Sequence, residues 1–356
     1  FDGPLPQHYI DSQEQLQKKI VARERSLGMK TVLPGFAGHV PPELGKVYSD
    51  AVIHPVGRWG GLNPDKYRSY FIEPTTALFD TIQARFIAEQ TRAYGTDHIY
   101  GLDPFNEVPP PYWDEKFLHN VSGRIMKSLQ TADDKARWFQ MTWVFYYMNK
   151  EWTPSRIESY LTGVDPDRLI LLDYYCDHTP LWERTNNFHG RPYIWCYLGN
   201  FGGNSVLSGD MDSVYIRTKR VLDRRPGRFE GIGGTLEGFD INPNMHTYAL
   251  SRAWSSNAVA DNPQAWTRPW AMARGGDEDR AVCEAWDRLF RDIYVFPNSN
   301  YGTMVRNRPR MTGHFGITTR YQFPYSNDSL FVAWGLLANA KTDNKAHMFD
   351  VVNVGR

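Results

Sequence analysis

Short apolar runs alternate along the chain with longer segments of helical periodicity, and this alternation is the strongest constraint on the fold. The runs are rich in β-branched and aromatic residues and are apolar on both faces, which is typical of strands buried in a parallel sheet. Six runs fit this description: KTVLPGF, HIYGLDPFNE, WVFYYM, RLILLDYY, PYIWCYLG and GIGGTLEG. Since helical segments separate most of them, the pattern predicts an α/β fold in which helices cover a parallel sheet.

Polar side chains stand at the carboxyl ends of several predicted strands. The stretch HIYGLDPFNEVPPP places Asn106 and Glu107 at a strand end, and the prolines that follow prevent the strand from continuing. Glu237 ends the last strand between glycines, and Asp173 and Asn200 end two others. In a (β/α)8 barrel these ends converge on one mouth, whereas in an open sheet they spread along an edge.

The domain organisation follows from where the strand pattern stops. A closed barrel has eight strands, so six predict a (β/α)8 TIM-type barrel whose first two strands precede residue 1. Beyond about Asn244 the segments HTYALSRAW and EDRAVCEAWDRLFRDIY have helical periodicity. We therefore predict a barrel domain over residues 1–255 and part of an all-α C-terminal domain over residues 256–356.

Composition excludes several classes of function. The 356 residues contain 40 Lys and Arg against 40 Asp and Glu, so neither nucleic acid nor an anionic membrane is favoured as a partner. No apolar run approaches the roughly 18 residues of a membrane span. The three cysteines are too few and scattered for a disulfide scaffold or a zinc ribbon. The 14% aromatic content suits stacking on sugars, but it also suits a large aromatic core.

The two strand-end glutamates, Glu107 and Glu237, are the candidate catalytic pair. Hydrolysis of a glycosidic bond needs one carboxyl group to protonate the leaving oxygen and another to attack the anomeric carbon or activate water. The alternative for either residue alone is a solvated loop glutamate or a helix cap. The run GIGGTLEG begins like the dinucleotide-binding motif G-x-G-x-x-G, but Leu236 stands where the last glycine is required. The ten histidines lack the spacing of metal ligands. Dinucleotide and metal chemistry are therefore not favoured.

Asn106 and four further residues are candidates for binding substrate. His39 follows a strand, although a histidine satisfied within the protein is the simpler interpretation. Trp59 and Trp143 are suited to the floor of a sugar pocket, although a tryptophan on a strand is more often part of the core. Asn200 ends the fifth predicted strand.

A series of motifs resembles the α-N-acetylglucosaminidases of glycoside hydrolase family 89. The motifs occur in the family's order, with weaker matches in RDIYVFPNS and VRNRPR. They are FDGPLPQHY, GMKTVLPGFAGHVP, GRWGGLNP, YGTDHIYGLDPFNE, RPYIWCYLGNFGGN and LEGFDINP. The resemblance covers roughly residues 1 to 255, and it implies a small domain before the barrel and a helical domain after it.

The resemblance also implies roles for individual residues. Glu107 matches the general acid/base in the family's FNE motif, and Glu237 matches the nucleophile, with Phe239 where the family commonly has isoleucine. Trp143 matches a pocket tryptophan, and Trp59 matches a WG motif that supports the pocket. The implied enzyme is an exo-acting, retaining hydrolase that removes terminal α-linked N-acetylglucosamine without metal or cofactor.

The partner implied is a glycan with terminal α-N-acetylglucosamine, without nucleic acid binding or membrane insertion, and the sequence assigns no oligomeric state. By family resemblance the enzyme is secreted, periplasmic or lysosomal, although the chain carries no targeting segment of its own. The alternative function is a sugar-binding or scaffold descendant that keeps the fold without turnover. The presence of both glutamates argues against that alternative.

Overall fold

The computed structural model describes most of the chain, with eight segments left out. The described residues are 4–58, 63, 67–202, 206–237, 242–254, 262–297 and 324–355. They fall into two compact units. The first unit comprises Phe1–Leu172 with Leu181–Tyr193, and the second comprises Asp173–Pro180 with Ile194–Arg356.

The strands form one large sheet and two small ones. In chain order they are β1 Leu33–Pro34, β2 Ile53–Arg58, β3 Arg68–Ile72, β4 Ile99–Gly101, β5 Arg137–Met141, β6 Leu169–Asp173, β7 Pro192–Tyr197, β8 Gly209–Asp210, β9 Arg228–Gly234 and β10 Val295–Phe296. Six of these form the main sheet in the order β1-β4-β5-β6-β7-β9. The pairs β1–β4, β4–β5 and β5–β6 are parallel. Within the described residues this confirms the predicted six-stranded α/β sheet.

Helices alternate with the strands of the main sheet and then follow one another without strands between most of them. In chain order they are α1 Gln7–Ser26, α2 Leu44–Val47, α3 Ala77–Tyr94, α4 Glu115–Ala132, α5 Trp143–Tyr147, α6 Pro154–Thr162, α7 Met211–Arg224, α8 Pro243–Ser251, α9 Pro263–Ala271, α10 Arg280–Asp292, α11 Asn327–Asn339 and α12 Lys345–Gly355. Shorter turns lie at Asn186–His189, Arg252–Trp254 and Met272–Gly276. The helical C-terminal part is therefore present as predicted.

The third predicted strand was placed wrongly. The run WVFYYM was predicted as a strand, but the strand is Arg137–Met141 and the aromatic run forms helix α5. In β5 the side chains alternate between buried and half-buried, with Trp138 fully buried. In α5 the buried residues are the neighbours Val144 and Phe145, a grouping that fits one side of a helix and not the alternation of a strand.

Much of the aromatic content is core. In the first unit the Trp138 indole is fully buried and donates to the carbonyl of Leu102 at 2.7 Å. In the second unit a series of ring contacts joins α8, α9 and α10 through Tyr248, Trp266, Trp270 and Trp286. Large aromatic side chains contribute much of the apolar area buried on folding, so these rings stabilise both units.

Two glycines let α4 pack closely against the end of α6. A Cβ built on Gly123 of α4 would lie 2.8 Å from the carbonyl oxygen of Gly163, which caps α6. A Cβ on Gly163 would overlap the carbonyl of His119 in α4. Since each position is obstructed by a backbone carbonyl, a side chain at either one requires the two helices to move apart.

We expect Gly123→Ala to destabilise the protein by about 1–3 kcal/mol, because the cost of overpacking exceeds the gain in helix propensity. The matched control is Gly335→Ala in α11, where an added Cβ meets nothing within 4 Å. That substitution should stabilise by up to about 1 kcal/mol. Urea unfolding of the two variants measures both effects, and equal shifts of the same sign would contradict the packing argument.

Candidate active site

Glu107 lies in a turn that follows β4, and the backbone presents it in an uncommon conformation. Its φ is 56°, in the left-handed region that residues other than glycine rarely occupy. Its carboxylate Oε1 accepts a hydrogen bond of 2.8 Å from the indole Nε1 of Trp143. Trp143 begins α5 directly after β5, so the ends of two neighbouring strands supply the two partners. Both side chains are half-buried and therefore accessible to a ligand.

The turn that carries Glu107 is fixed at its start by Asp103. The Asp103 carboxylate accepts a 2.9 Å hydrogen bond from the backbone N–H of Met141 at the end of β5. Burial raises the pKa of Asp103 to about 7, and the bond from Met141 acts in the opposite direction. This contact joins the ends of β4 and β5 where Glu107 and Trp143 meet.

His39 supports the same turn from the other side. The carbonyl of Pro104 can only accept, so His39 Nε2 carries the proton of the 2.8 Å hydrogen bond between them. Burial lowers the pKa of His39, and the ring packs edge-on against Phe71 of β3. The neutral imidazole of His39 therefore acts within the described structure as a support for the turn.

The hairpin of β2 and β3 approaches the turn at Pro109. A Cβ on Gly57 would lie 2.6 Å from Cδ of Pro109, so a glycine at this position permits the close approach of the hairpin to the proline ring. Trp59, predicted as pocket support, directly follows the hairpin's first strand and lies outside the described residues.

Asn106 has an unsatisfied acceptor next to Glu107. Its Oδ1 is buried from solvent and has no hydrogen-bond partner among the described residues. A buried acceptor without a partner is costly unless a ligand or water supplies the donor. A hydroxyl or amide group of a bound ligand has the donor that this oxygen lacks.

In the second unit, Glu237 follows β9 and is held by two donors. The Tyr174 hydroxyl donates to Oε1 at 2.7 Å, and the backbone N–H of Gly202 donates to Oε2 at 2.8 Å. The orientation of Tyr174 is supported by Thr235, whose hydroxyl donates to the Tyr174 carbonyl at 2.6 Å. The carboxylate thus has a fixed direction although the residue as a whole is exposed.

Asn200 lies in the loop after β7 and uses its amide inside the protein. Nδ2 donates to the carbonyl of Val206 at 2.8 Å, and Oδ1 accepts from the Ser208 hydroxyl at 2.6 Å. The side chain is 1% exposed. The structure therefore places Asn200 as an internal brace of the loop that carries Gly202, and its predicted contact with substrate remains a prediction.

Sequence reasoning did not identify Tyr174, Gly202 or Asp103 as parts of the site. Tyr174 directly follows Asp173, the strand-end residue that the pattern selected, but Asp173 is fully buried and Tyr174 is the one that reaches Glu237. The alternation of side chains along a strand could have identified Tyr174, because adjacent residues face opposite sides and a buried Asp173 leaves Tyr174 on the other side. Gly202 contributes only its backbone N–H, and such a contact cannot be predicted from the type of residue.

The described residues contain no group of three or more His, Cys, Asp and Glu side chains arranged to hold a metal ion. Their helices are each too short or too polar to span a bilayer.

Comparison with protein-family models identifies both parts of the chain. The α-N-acetylglucosaminidase TIM-barrel domain matches residues 1–256, and the C-terminal domain of the same family matches residues 266–356. Human α-N-acetylglucosaminidase is 30% identical over 359 aligned residues, which cover 100% of this chain and 48% of the human protein. The chain thus spans about half the length of this relative.

Solved structures show the same fold. A family 89 glycoside hydrolase from Clostridium perfringens, in complex with 2-acetamido-1,2-dideoxynojirmycin, superposes with a TM-score of 0.82 at 22% identity. The match covers 99% of this chain and 40% of the other. The same bacterial enzyme, with two glutamates replaced by glutamine and its substrate GlcNAc-α-1,4-galactose bound, gives a TM-score of 0.81 at 22% identity with the same coverage.

The raised pKa of Asp103 predicts a pH dependence of stability. An aspartate in the unfolded chain has a pKa of about 3.9, and in the folded protein that of Asp103 is about 7. Between these values the folded state binds more protons than the unfolded state, so this residue's contribution to stability falls as the pH rises. Asp103→Asn should flatten the decline in the free energy of unfolding between about pH 4 and pH 7. Equal slopes for variant and wild type in urea titrations would contradict the burial of this carboxyl group.

Proposed function

The chain belongs to the α-N-acetylglucosaminidase family, and on that premise we propose that it carries the catalytic glutamates of an exo-acting, retaining glycoside hydrolase. The substrate class is a glycan that ends in α-linked N-acetylglucosamine. Glu107 is the general acid/base and Glu237 is the nucleophile. The activity and substrate named for the human and bacterial relatives support this assignment.

One structural observation carries the proposal: each glutamate follows a strand of the main sheet and has a carboxylate held by a directed donor. For Glu107 the donor is the Trp143 indole, and for Glu237 the donors are Tyr174 and Gly202. A solvated loop glutamate or a helix cap has no need of such partners. Fixed carboxylates at strand ends are what double displacement at a sugar requires.

In the proposed first step, Glu107 protonates the glycosidic oxygen while a Glu237 oxygen attacks the anomeric carbon. The bond to the leaving group breaks, and a covalent glycosyl ester of Glu237 forms with inverted configuration. The donors from Tyr174 and Gly202 aim the attacking carboxylate. Asn106 accepts a hydrogen bond from the sugar through its unpaired Oδ1.

In the second step, the Glu107 carboxylate takes a proton from water as the water attacks the anomeric carbon. The ester to Glu237 breaks, and the second inversion restores the α configuration of the product. Glu107 regains its proton and Glu237 its charge, so the cycle closes without a cofactor.

We also propose, from family resemblance alone, that the enzyme works in a secreted, periplasmic or lysosomal compartment. Glycans with terminal α-N-acetylglucosamine are its proposed partners.

We expect the purified protein to release N-acetylglucosamine first as the α-anomer, which NMR detects during the reaction. In Glu107→Gln, hydrolysis of methyl α-N-acetylglucosaminide should fall by about 10²–10⁴-fold, because a poor leaving group depends on the lost proton. A dinitrophenyl α-glycoside should lose much less in its glycosylation step. Glu237→Gln should lose activity on both substrates.

The matched control is Glu89→Gln, which changes an exposed glutamate of α3. It should leave both rates unchanged. Equal losses on both substrates in single-turnover assays of Glu107→Gln would refute the acid assignment. First release of the β-anomer would refute retention and with it the nucleophile role of Glu237.

A separate prediction concerns the hydroxyl that holds Glu237. Tyr174→Phe removes one of the two donors without removing the ring, so kcat should fall by about 10- to 100-fold through misdirected attack, while KM changes little. Tyr9→Phe, on the exposed face of α1, is the control for loss of a hydroxyl. If Tyr174→Phe changes KM and leaves kcat intact, the hydroxyl contacts substrate and does not position the nucleophile.

A further inference from the structure

Helix α5 has two sides of different character. Val144 and Phe145 are buried, and the Phe145 ring packs against Trp152 at 5.0 Å between centroids. The Arg184 guanidinium donates to the Phe145 carbonyl at 2.6 Å. These contacts fix the buried side of the helix, so the core and not a bound ligand determines where the opposite side faces.

The other side carries three aromatic rings at the spacing of one helix face. Trp143, Tyr146 and Tyr147 occupy positions i, i+3 and i+4. The Trp143 ring lies 4.8 Å from that of Tyr146 at 36°, and 6.4 Å from that of Tyr147 at 32°. Tyr147 is 51% exposed. We call the rings of Trp143, Tyr146 and Tyr147 the aromatic face.

The aromatic face is tied directly to the proposed acid, because Trp143 donates to Glu107. The acid must reach the glycosidic oxygen, which joins the sugar being removed to the sugar that leaves. The leaving sugar is attached through the oxygen that Glu107 protonates, so a ring beside the acid's own partner is a candidate to contact that sugar. Exposed aromatic rings stack on the apolar C–H face of a pyranose and bury its area from water.

We propose that the aromatic face, with Tyr147 as its outer ring, is a subsite for the leaving sugar, and that it selects glycans whose penultimate residue is a hexopyranose. This inference rests on the proposed function, because it takes Glu107 as the acid. Tyr147 binds the departing ring and does not take part in bond breaking.

The test compares two substrates that both need the proton of Glu107. GlcNAc-α-1,4-galactose has a leaving sugar to stack, whereas methyl α-N-acetylglucosaminide has none. In Tyr147→Ala the ratio of kcat/KM for the disaccharide to that for the methyl glycoside should fall by about tenfold, since one stacked ring is lost. Tyr147→Phe keeps the ring and should keep most of the wild-type ratio.

Tyr9→Ala removes a tyrosine of similar exposure, 48%, from α1 and should leave the ratio unchanged. If Tyr147→Ala lowers kcat/KM equally for both substrates, the subsite is overturned while the proposed function stands. If Tyr147→Phe lowers the kcat/KM ratio as much as Tyr147→Ala does, the hydroxyl and not the ring is responsible for the preference, and stacking is overturned. If the wild type releases N-acetylglucosamine from neither substrate, the proposed function fails and the subsite fails with it.

Discussion

Parallel pairing of strands is the constraint on which the rest of the structure depends. In parallel sheets every strand delivers its carboxyl end to the same edge, and the connections there leave backbone groups that ladder bonds no longer satisfy. Side chains take over that task. Asp103 accepts the N–H of Met141 in the first unit, and Asp177 accepts those of Leu198 and Gly199 in the second at 3.0 and 3.2 Å. The loops that carry the candidate site are fixed by these bonds.

Most of the sheet could be predicted from the sequence, because buried parallel strands leave a pattern that short-range reasoning detects. Four of the six predicted runs contain the observed strands, GIGGTLEG overlaps only the second half of β9, and WVFYYM was misplaced. The cause is that Trp138 and its neighbours alternate weakly in polarity, while the aromatic run that follows has a high strand propensity. Packing of Phe145 against Trp152 overrides that propensity. The β2–β3 hairpin was not predicted at all.

The glutamates could be chosen from the sequence because a carboxylate at the end of a predicted strand is identified by the order of residues alone. Their partners could not, since each comes from another strand. Trp143 was selected for its ring, but its indole N–H is what reaches Glu107. The donors to Glu237 come from the ends of β6 and β7, and one of them is a backbone N–H. Asn200 shows the converse, because it is a polar residue near a strand end whose amide bonds within the protein. His39 is exposed as a whole residue, and its Nε2 supports the turn at Pro104. For both residues the predicted contact with substrate stays a prediction.

The left-handed backbone at Glu107 sets stability and activity against each other. A residue with a Cβ in this conformation costs roughly 1–2 kcal/mol relative to glycine, and the φ of Glu107 is 56°. Random mutagenesis that selects only for thermal resistance would therefore enrich glycine at position 107 and discard the carboxylate. Directed evolution of this scaffold needs a selection for turnover in every round, because glycine at position 107 would relieve backbone strain at the residue proposed as the general acid/base.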